Sequence, residues 1–251
     1  MNKKKLGLFL LLISISAFSQ TEKQYTKLKV SYGIETHTDK SLQSYKYLLE
    51  KLPDLAAKIE TIASEFDFSL VFNDSTSIFY LEKKLYSNNS AADMALAKSG
   101  YFGRIEQQKN NYITEELQEA FGKFLVSRPY QKWELVEESK MIGDYACFKA
   151  TTFYTVTNPE GKLFKHNFTA WYSPQLPYKF GPVGYGNLPG LIIELQGERF
   201  TYGVKKIEFY DDNEKSKGNE LPELKKKKLI TEEEFEALAA MDEKRWQEQQ
   251  D

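Results

Sequence analysis

The sequence predicts a mainly β, α+β protein: an antiparallel curved sheet or open barrel with an inserted helical segment and a C-terminal helix. Three observations predict it. From residue 101 onward, apolar and polar residues alternate through short runs separated by turn residues, the two-residue period of half-buried strands. The aromatic content is high, with 16 Tyr, 17 Phe and 3 Trp, types that fit a pleated surface. A sustained helical period shows only over residues 41–66 and after Thr231.

The chain opens Met1-Asn2-Lys3-Lys4-Lys5, runs apolar from Leu6 to Ile15 and continues Ser16-Ala17-Phe18-Ser19-Gln20. A basic start, a short apolar core and small residues at Ala17 and Ser19 are the pattern of a secretory signal peptide, so residues 1–19 are expected to be cleaved after Ser19. The apolar run falls short of the ~20 residues that a spanning helix needs, and no other segment could span a bilayer. Cys147, the one cysteine, lies far from the cleavage point, so no lipid anchor is expected there, and it can form no internal disulfide.

Residues 20–212 are read as one mainly β domain, and the remaining ~230 residues after cleavage suffice for a single sizeable core. Leu28, Val30, Tyr32 and Ile34 alternate as a first strand. From Ser41 the period changes: Tyr45, Leu48, Leu49 and Leu52, then Leu55, Ile59, Ile62, Ala63 and Phe66, lie on helical faces to either side of Pro53, a residue suited to a helix start. Phe68, Leu70 and Phe72 run into Asn73-Asp74-Ser75, and residues 78–81 return as a hairpin. Residues 84–100 are polar and small and are read as loop with a helical turn. Strand pieces follow at 101–106, 111–114 and 121–126. Longer strands over 132–141 and 145–157 flank Gly143-Asp144. The second of them meets 162–172 at Asn158-Pro159-Glu160-Gly161, whose residues suit a type I turn. Past the connection 173–190, the runs 191–196 and 199–210 pair around Gly197. A charged linker over 213–230 carries the run Lys225 to Lys228, read as solvated. A helix over 231–250 starts at the capping box Thr231/Glu234, with Phe235, Leu238, Ala239 and Trp246 as its apolar stripe.

Cleavage removes three lysines, leaving 31 basic residues against 36 acidic ones, a net charge of −5. That sign speaks against nucleic acid as a partner.

The most distinctive stretch is Tyr185-Gly186-Asn187-Leu188-Pro189-Gly190-Leu191-Ile192-Ile193-Glu194-Leu195. Pro189 presets φ at the second position of a tight turn and Gly190 is expected to supply a positive φ at the third, as in a type II turn. Asn187 tolerates a left-handed conformation and suits a bend just upstream. Glycines at 184, 186 and 190 do not make a dinucleotide fingerprint, because a β pattern follows where that motif requires a helix.

From Trp133 onward the chain resembles the GLPGLI family of exported bacterial proteins. The resemblance sits in Trp133-Glu134-Leu135, Ile142-Gly143-Asp144-Tyr145-Ala146-Cys147-Phe148-Lys149-Ala150, Ala170-Trp171-Tyr172-Ser173-Pro174, Gly181-Pro182 and the turn Asn187-Leu188-Pro189-Gly190-Leu191-Ile192. Asn187 replaces the first glycine of the naming motif, a mild departure at a left-handed position. The family-like part covers about 125–212. The resemblance implies export and one predominantly β domain, and it carries no assigned activity to any residue. A run of antiparallel strands with a helix after the first also looks like the open half-barrel carriers of lipids and lipoproteins.

His166 shares a strand face with Phe164, Phe168, Ala170 and Tyr172 and is read as hydrogen-bonded core. Two histidines and one cysteine do not make a zinc site without carboxylates, so neither metal nor cofactor is expected. Counting back from the turn at 158–161 sets position 166 opposite 153–154, which leaves Cys147 out of reach of His166 and reads as a buried, inert thiol. Trp171, Tyr172, Tyr178, Phe180 and Tyr185 gather in and around one long loop, where aromatics often line binding sites. The candidate contact residues are therefore Phe164, His166, Phe168, Trp171, Tyr172, Tyr178 and Tyr185.

The expected function is binding without catalysis, in the periplasm, the cell envelope or outside the cell, with an apolar small molecule or an envelope protein as partner. Two alternatives are a carboxylate-based envelope hydrolase and a scaffold docking on an outer-membrane complex.

Overall fold

The computed structural model describes residues 27–37, 43–73, 75–83, 89–118, 120–157, 161–210 and 227–248. The signal segment, the Lys225-Lys226 part of the lysine run and Asn158-Pro159-Glu160 of the expected type I turn lie outside them. Gly161, next to that turn, has φ +79°.

Twelve strands form one open, curved sheet among the described residues, in the order β12-β6-β5-β4-β3-β2-β1-β11-β10-β9-β8-β7. The first half comprises β1 (Lys27–Thr36), β2 (Phe68–Phe72), β3 (Ser77–Leu81), β4 (Ile105–Gln107), β5 (Asn111–Gln118) and β6 (Gly122–Pro129). The second comprises β7 (Glu134–Ile142), β8 (Tyr145–Thr157), β9 (Leu163–Ser173), β10 (Leu191–Gln196), β11 (Phe200–Tyr210) and β12 (Lys228–Thr231). Every neighbouring pair is antiparallel except β12 on β6. The sheet does not close into a barrel.

Alternation decides which face is buried. One row, Val30-Leu70-Phe79-Ile105-Thr114-Val126-Ile230, crosses from β1 to β12 in strict register. A second row on the same face, Ile34-Tyr202-Leu195-Ala170-Ala150-Leu135, crosses from β1 to β7. The apolar members of these rows are buried, apart from Leu135 on the free edge. They form the concave inner face.

Pro53 ends one helix and opens the next, giving α1 (Gln43–Lys51) and α2 (Pro53–Ser64). The segment read as loop with a helical turn contains a full helix, α3 (Asn89–Lys98). Its alanines, strong helix formers, put Ala91 and Ala95 into the main core. Tyr202 donates to the Ser99 carbonyl at 3.1 Å, seating the end of α3 on the inner face. The last residues of the stretch read as linker form β12, and α4 (Glu232–Glu248) follows at once. Its capping box is reciprocal: Thr231 N donates to Glu234 at 2.9 Å and Glu234 N to Thr231 Oγ1 at 3.2 Å.

The connection after β9 folds back across the inner face. Tyr178 and Phe180 pack on Phe72, with ring centroids 4.9 and 5.3 Å away. A short 3-10 turn, Pro182–Gly184, rests on β3–β5. Asn187 has φ +62°, the left-handed bend expected of it. Gly190 corrects the expectation of a type II turn: it does not have positive φ. A Cβ there would stand 2.2 Å from the Ser173 carbonyl oxygen, so glycine is required because two backbones touch.

Candidate functional site

Because the sheet curves without closing, its β5–β6 end and its β8–β9 region face each other across the concave side. Between them lies a groove of about 570 Å³. Phe168, Tyr185, Phe200 and Ile105 line its depth, Tyr112, Thr114, Glu116 and Arg128 one wall, and Thr152, Tyr154 and Val156 the other. Phe102 and Arg199 stand at the mouth, and Glu232 and Glu236 of α4 complete the β6 side.

The aromatic lining is continuous. Phe168 lies 4.7 Å from Tyr185 and 5.7 Å from Tyr154, nearly parallel to the latter, and 6.0 Å from Phe200. Tyr112 and Tyr130 pair at 5.9 Å. Burial pushes the Tyr112 and Tyr130 phenols up to about 12 and lifts Tyr185 well above its ordinary value. These rings are neutral at physiological pH, apolar in body with a hydroxyl to donate.

A polar bracket holds the loop that carries Tyr185. Gln107, fully buried, accepts from Ser77 Oγ at 3.1 Å and from Gly181 N at 3.2 Å, and donates to the Tyr185 carbonyl at 2.9 Å. Trp133 Nε1 donates to the Gly186 carbonyl at 2.9 Å. Gly184, at φ +82°, lets the loop press on the Tyr112 ring, which a Cβ would meet at 2.7 Å. Val183, a β-branched residue, is held at φ +46° on the groove surface. Strain of that kind persists only where the surroundings over-determine it.

Arg128 organises the charged wall. Its guanidinium bonds Glu116 and Thr114 from β5 and, at 2.9 Å, Glu232 from α4. Burial works against its charge, but the Glu116 carboxylate outweighs that and raises its pKa. Three carboxylates thus line the groove, and two of them are committed to Arg128.

Of the sequence-predicted contact residues, Phe168 and Tyr185 meet in the groove. His166 sits beside it, opposite Tyr154 as counted, with its ring 4.9 Å from that tyrosine and Nδ1 2.9 Å from Glu198. Phe164 lies farther out on the same face, exposed opposite Val156. Tyr172 is buried against Phe148, and Tyr178 packs on Phe72. Trp171 points to the opposite face, under Lys140 Nζ at 4.4 Å from its ring centroid. Cys147 is buried, far along β8 from His166, with burial pushing its thiol up to about 11. Sequence reasoning missed Tyr112, Arg128, Tyr154, Phe200 and Glu232, which converge only through pairings distant in the chain. Among the described residues no group of three or more His, Cys, Asp or Glu side chains could hold a metal, and no helix is long and apolar enough to cross a membrane.

Residues 159–194 match a family model described as Porph_ging, protein of unknown function. The match includes β9 and the turn at Asn187–Ile192; the GLPGLI resemblance rests on the residues quoted for it. No curated protein matches the chain. Among solved structures the chain is similar to PNGF-II in the C2 space group, with 13% identity, a TM-score of 0.50, and coverage of 85% of this chain and 32% of that one. For PNGF-II in the P21 space group the values are 12%, 0.49, 85% and 33%. The chain thus spans about a third of those proteins' length. At such identity the likeness concerns the fold alone.

Proposed function

We propose that the chain is an exported, envelope-associated binding protein of the GLPGLI type that holds the apolar body of a ligand in the groove between the two ends of its sheet. One observation carries the reading. Phe102, Tyr154 and Val156 remain 73%, 40% and 46% exposed at the mouth of one groove with an aromatic floor. Large apolar side chains left in water together, rather than singly, mark a surface that something covers. The concave shape suits a small ligand better than a flat docking face. Fluorescence titration with N-phenyl-1-naphthylamine tests it. Binding by the native protein, weakened about tenfold or more in Tyr154→Ser/Val156→Ser and unchanged in Leu117→Ser, an exposed residue on the outer face of β5 away from the groove lining, is expected. Equal binding by both variants contradicts the site.

Export rests on the Met1–Gln20 pattern, and N-terminal sequencing of protein from the native envelope checks it: Gln20 first supports cleavage, Met1 first in the inner membrane contradicts it.

A hydrolase is the second reading, favoured by Glu116, Glu232 and Glu236 in the groove lining. It predicts turnover abolished by Glu236→Gln, the carboxylate for which the structure gives no tie to Arg128; turnover intact in that variant counts against it.

A further inference from the structure

Among the described residues every pair of neighbouring strands but one is antiparallel, and the exception, β12 on β6, involves the last strand in the chain. β12, four residues long, adds parallel to β6 and passes straight into α4. The apolar contacts of this unit form a cluster separate from the main core: Phe124, Val126 and Ile230 are buried, with Phe121, Phe235 and Leu238 half-buried around them. Among the described residues, the further ties lead to β5, β6 and the turn between them, where Arg245 lies over the Phe121 ring at 5.5 Å. Arg128 bonds Glu232 at 2.9 Å, Gln118 bonds Asp242 at 3.0 Å, and Lys227 bonds Glu115 at 2.8 Å. A short strand with its own small cluster and partly exposed ion pairs opens at lower free energy than the body it rests on.

We propose that β12–α4 is a displaceable latch: one wall of the ligand groove that undocks as a unit and admits the ligand while the rest of the domain stays folded. The proposal rests on the groove being a ligand site. Arg128 makes undocking feasible. Removing the sole partner of a buried charge is costly, but when Glu232 leaves, Arg128 keeps Glu116 and Thr114. The Arg128 charge is not stranded; the ion pair that undocking separates outright is Lys227–Glu115. Glu232 and Glu236 both line the groove, so their departure widens it on the β6 side.

A reversible lock tests the latch in the full chain. Leu229 stands in register with Leu125, so Leu125→Cys/Leu229→Cys joins β12 to β6 on oxidation, while the native Cys147 is buried. Hydrogen exchange and N-phenyl-1-naphthylamine association are followed in oxidised and reduced protein. The expected result is α4 exchange at least tenfold faster than that of β1 and β10 in the reduced form, suppressed by oxidation, with probe association slowed at least tenfold and restored by dithiothreitol. Glu232→Gln, which introduces no cysteine, should speed both α4 exchange and probe association severalfold. Probe association at the same rate in locked and reduced forms overturns the latch and leaves the groove standing. Exchange of α4 as slow as that of β1 overturns it too. No probe uptake in either form sinks the groove reading and the latch with it.

Discussion

At Gly190 the backbone presses against that of Ser173 too closely for any side chain. Sequence marks the glycine as obligatory, and the turn chemistry of Pro-Gly suggests positive φ; the actual constraint is the Ser173 carbonyl oxygen 2.2 Å from where a Cβ would sit. No local pattern reveals a contact between residues 17 apart in a folded-back loop, whereas the left-handed bend at Asn187 follows from that residue's own conformational preference. Gly190→Val is therefore expected to destabilise by about 1–3 kcal/mol through overpacking, read as a lowered Tm; an unchanged Tm contradicts the close approach. Tyr32, fully buried, donates to the Ile192 carbonyl at 2.6 Å beside the β-bulge in β10. Tyr32→Phe leaves that oxygen orphaned and should cost about 1–3 kcal/mol in denaturant unfolding. Burial works against the Glu82 charge, but hydrogen bonds from Lys29 and Ser69 outweigh it and hold its carboxyl below the ordinary value. A depressed carboxyl stabilises above the unfolded pKa of about 4.3 and loses that contribution as pH falls through the folded value. The stability difference between wild type and Glu82→Gln should therefore be present at pH 7 and shrink as pH falls below the unfolded value of about 4.3; a difference independent of pH contradicts the assignment.

Elements with a strong local signal were legible, and those defined by distant partners were not. The hairpins β2–β3, β8–β9 and β10–β11, the break at Pro53 and the capping box at Thr231 all follow from short-range rules. The helix α3 was hidden because its buried residues, Ala91, Ala92 and Ala95, are too small to register as an amphipathic stripe. β12 was hidden among lysines: Ile230 alone enters the core, and only its partner Val126 on β6 makes the segment a strand. The loop behind Tyr185 was flagged by its glycines and aromatics, but its bracket, Gln107, lies 78 residues away. Gln107→Ala leaves Gly181 N and the Tyr185 carbonyl without their partner. It should lower Tm and weaken N-phenyl-1-naphthylamine binding together, because the groove floor loosens; a lowered Tm with unaltered binding would separate the bracket from the site.

At the scale of the molecule, a chain of alternating strands predicted an antiparallel curved sheet, and left curved sheet or open barrel undecided. The strand order was beyond local reading, since β1 lies between β2 and β11, and β6 pairs with β12, strands far apart in sequence. That order sets β5–β6 against β8–β9 and so creates the groove, which explains why Phe168 and Tyr185 could be named from sequence while Tyr112, Arg128 and Phe200 could not. Trp171, one residue from Tyr172, faces the other way because side chains alternate along a strand. The most direct test of the central claim, that the groove holds an apolar body, is the aromatic and backbone NMR spectrum of the native protein titrated with N-phenyl-1-naphthylamine. The account predicts shifts concentrated at Tyr112, Tyr154, Phe168, Tyr185 and Phe200, with Trp171 unmoved. Shifts confined to Trp171 and the outer face, or a folded spectrum that does not change at all, would contradict it.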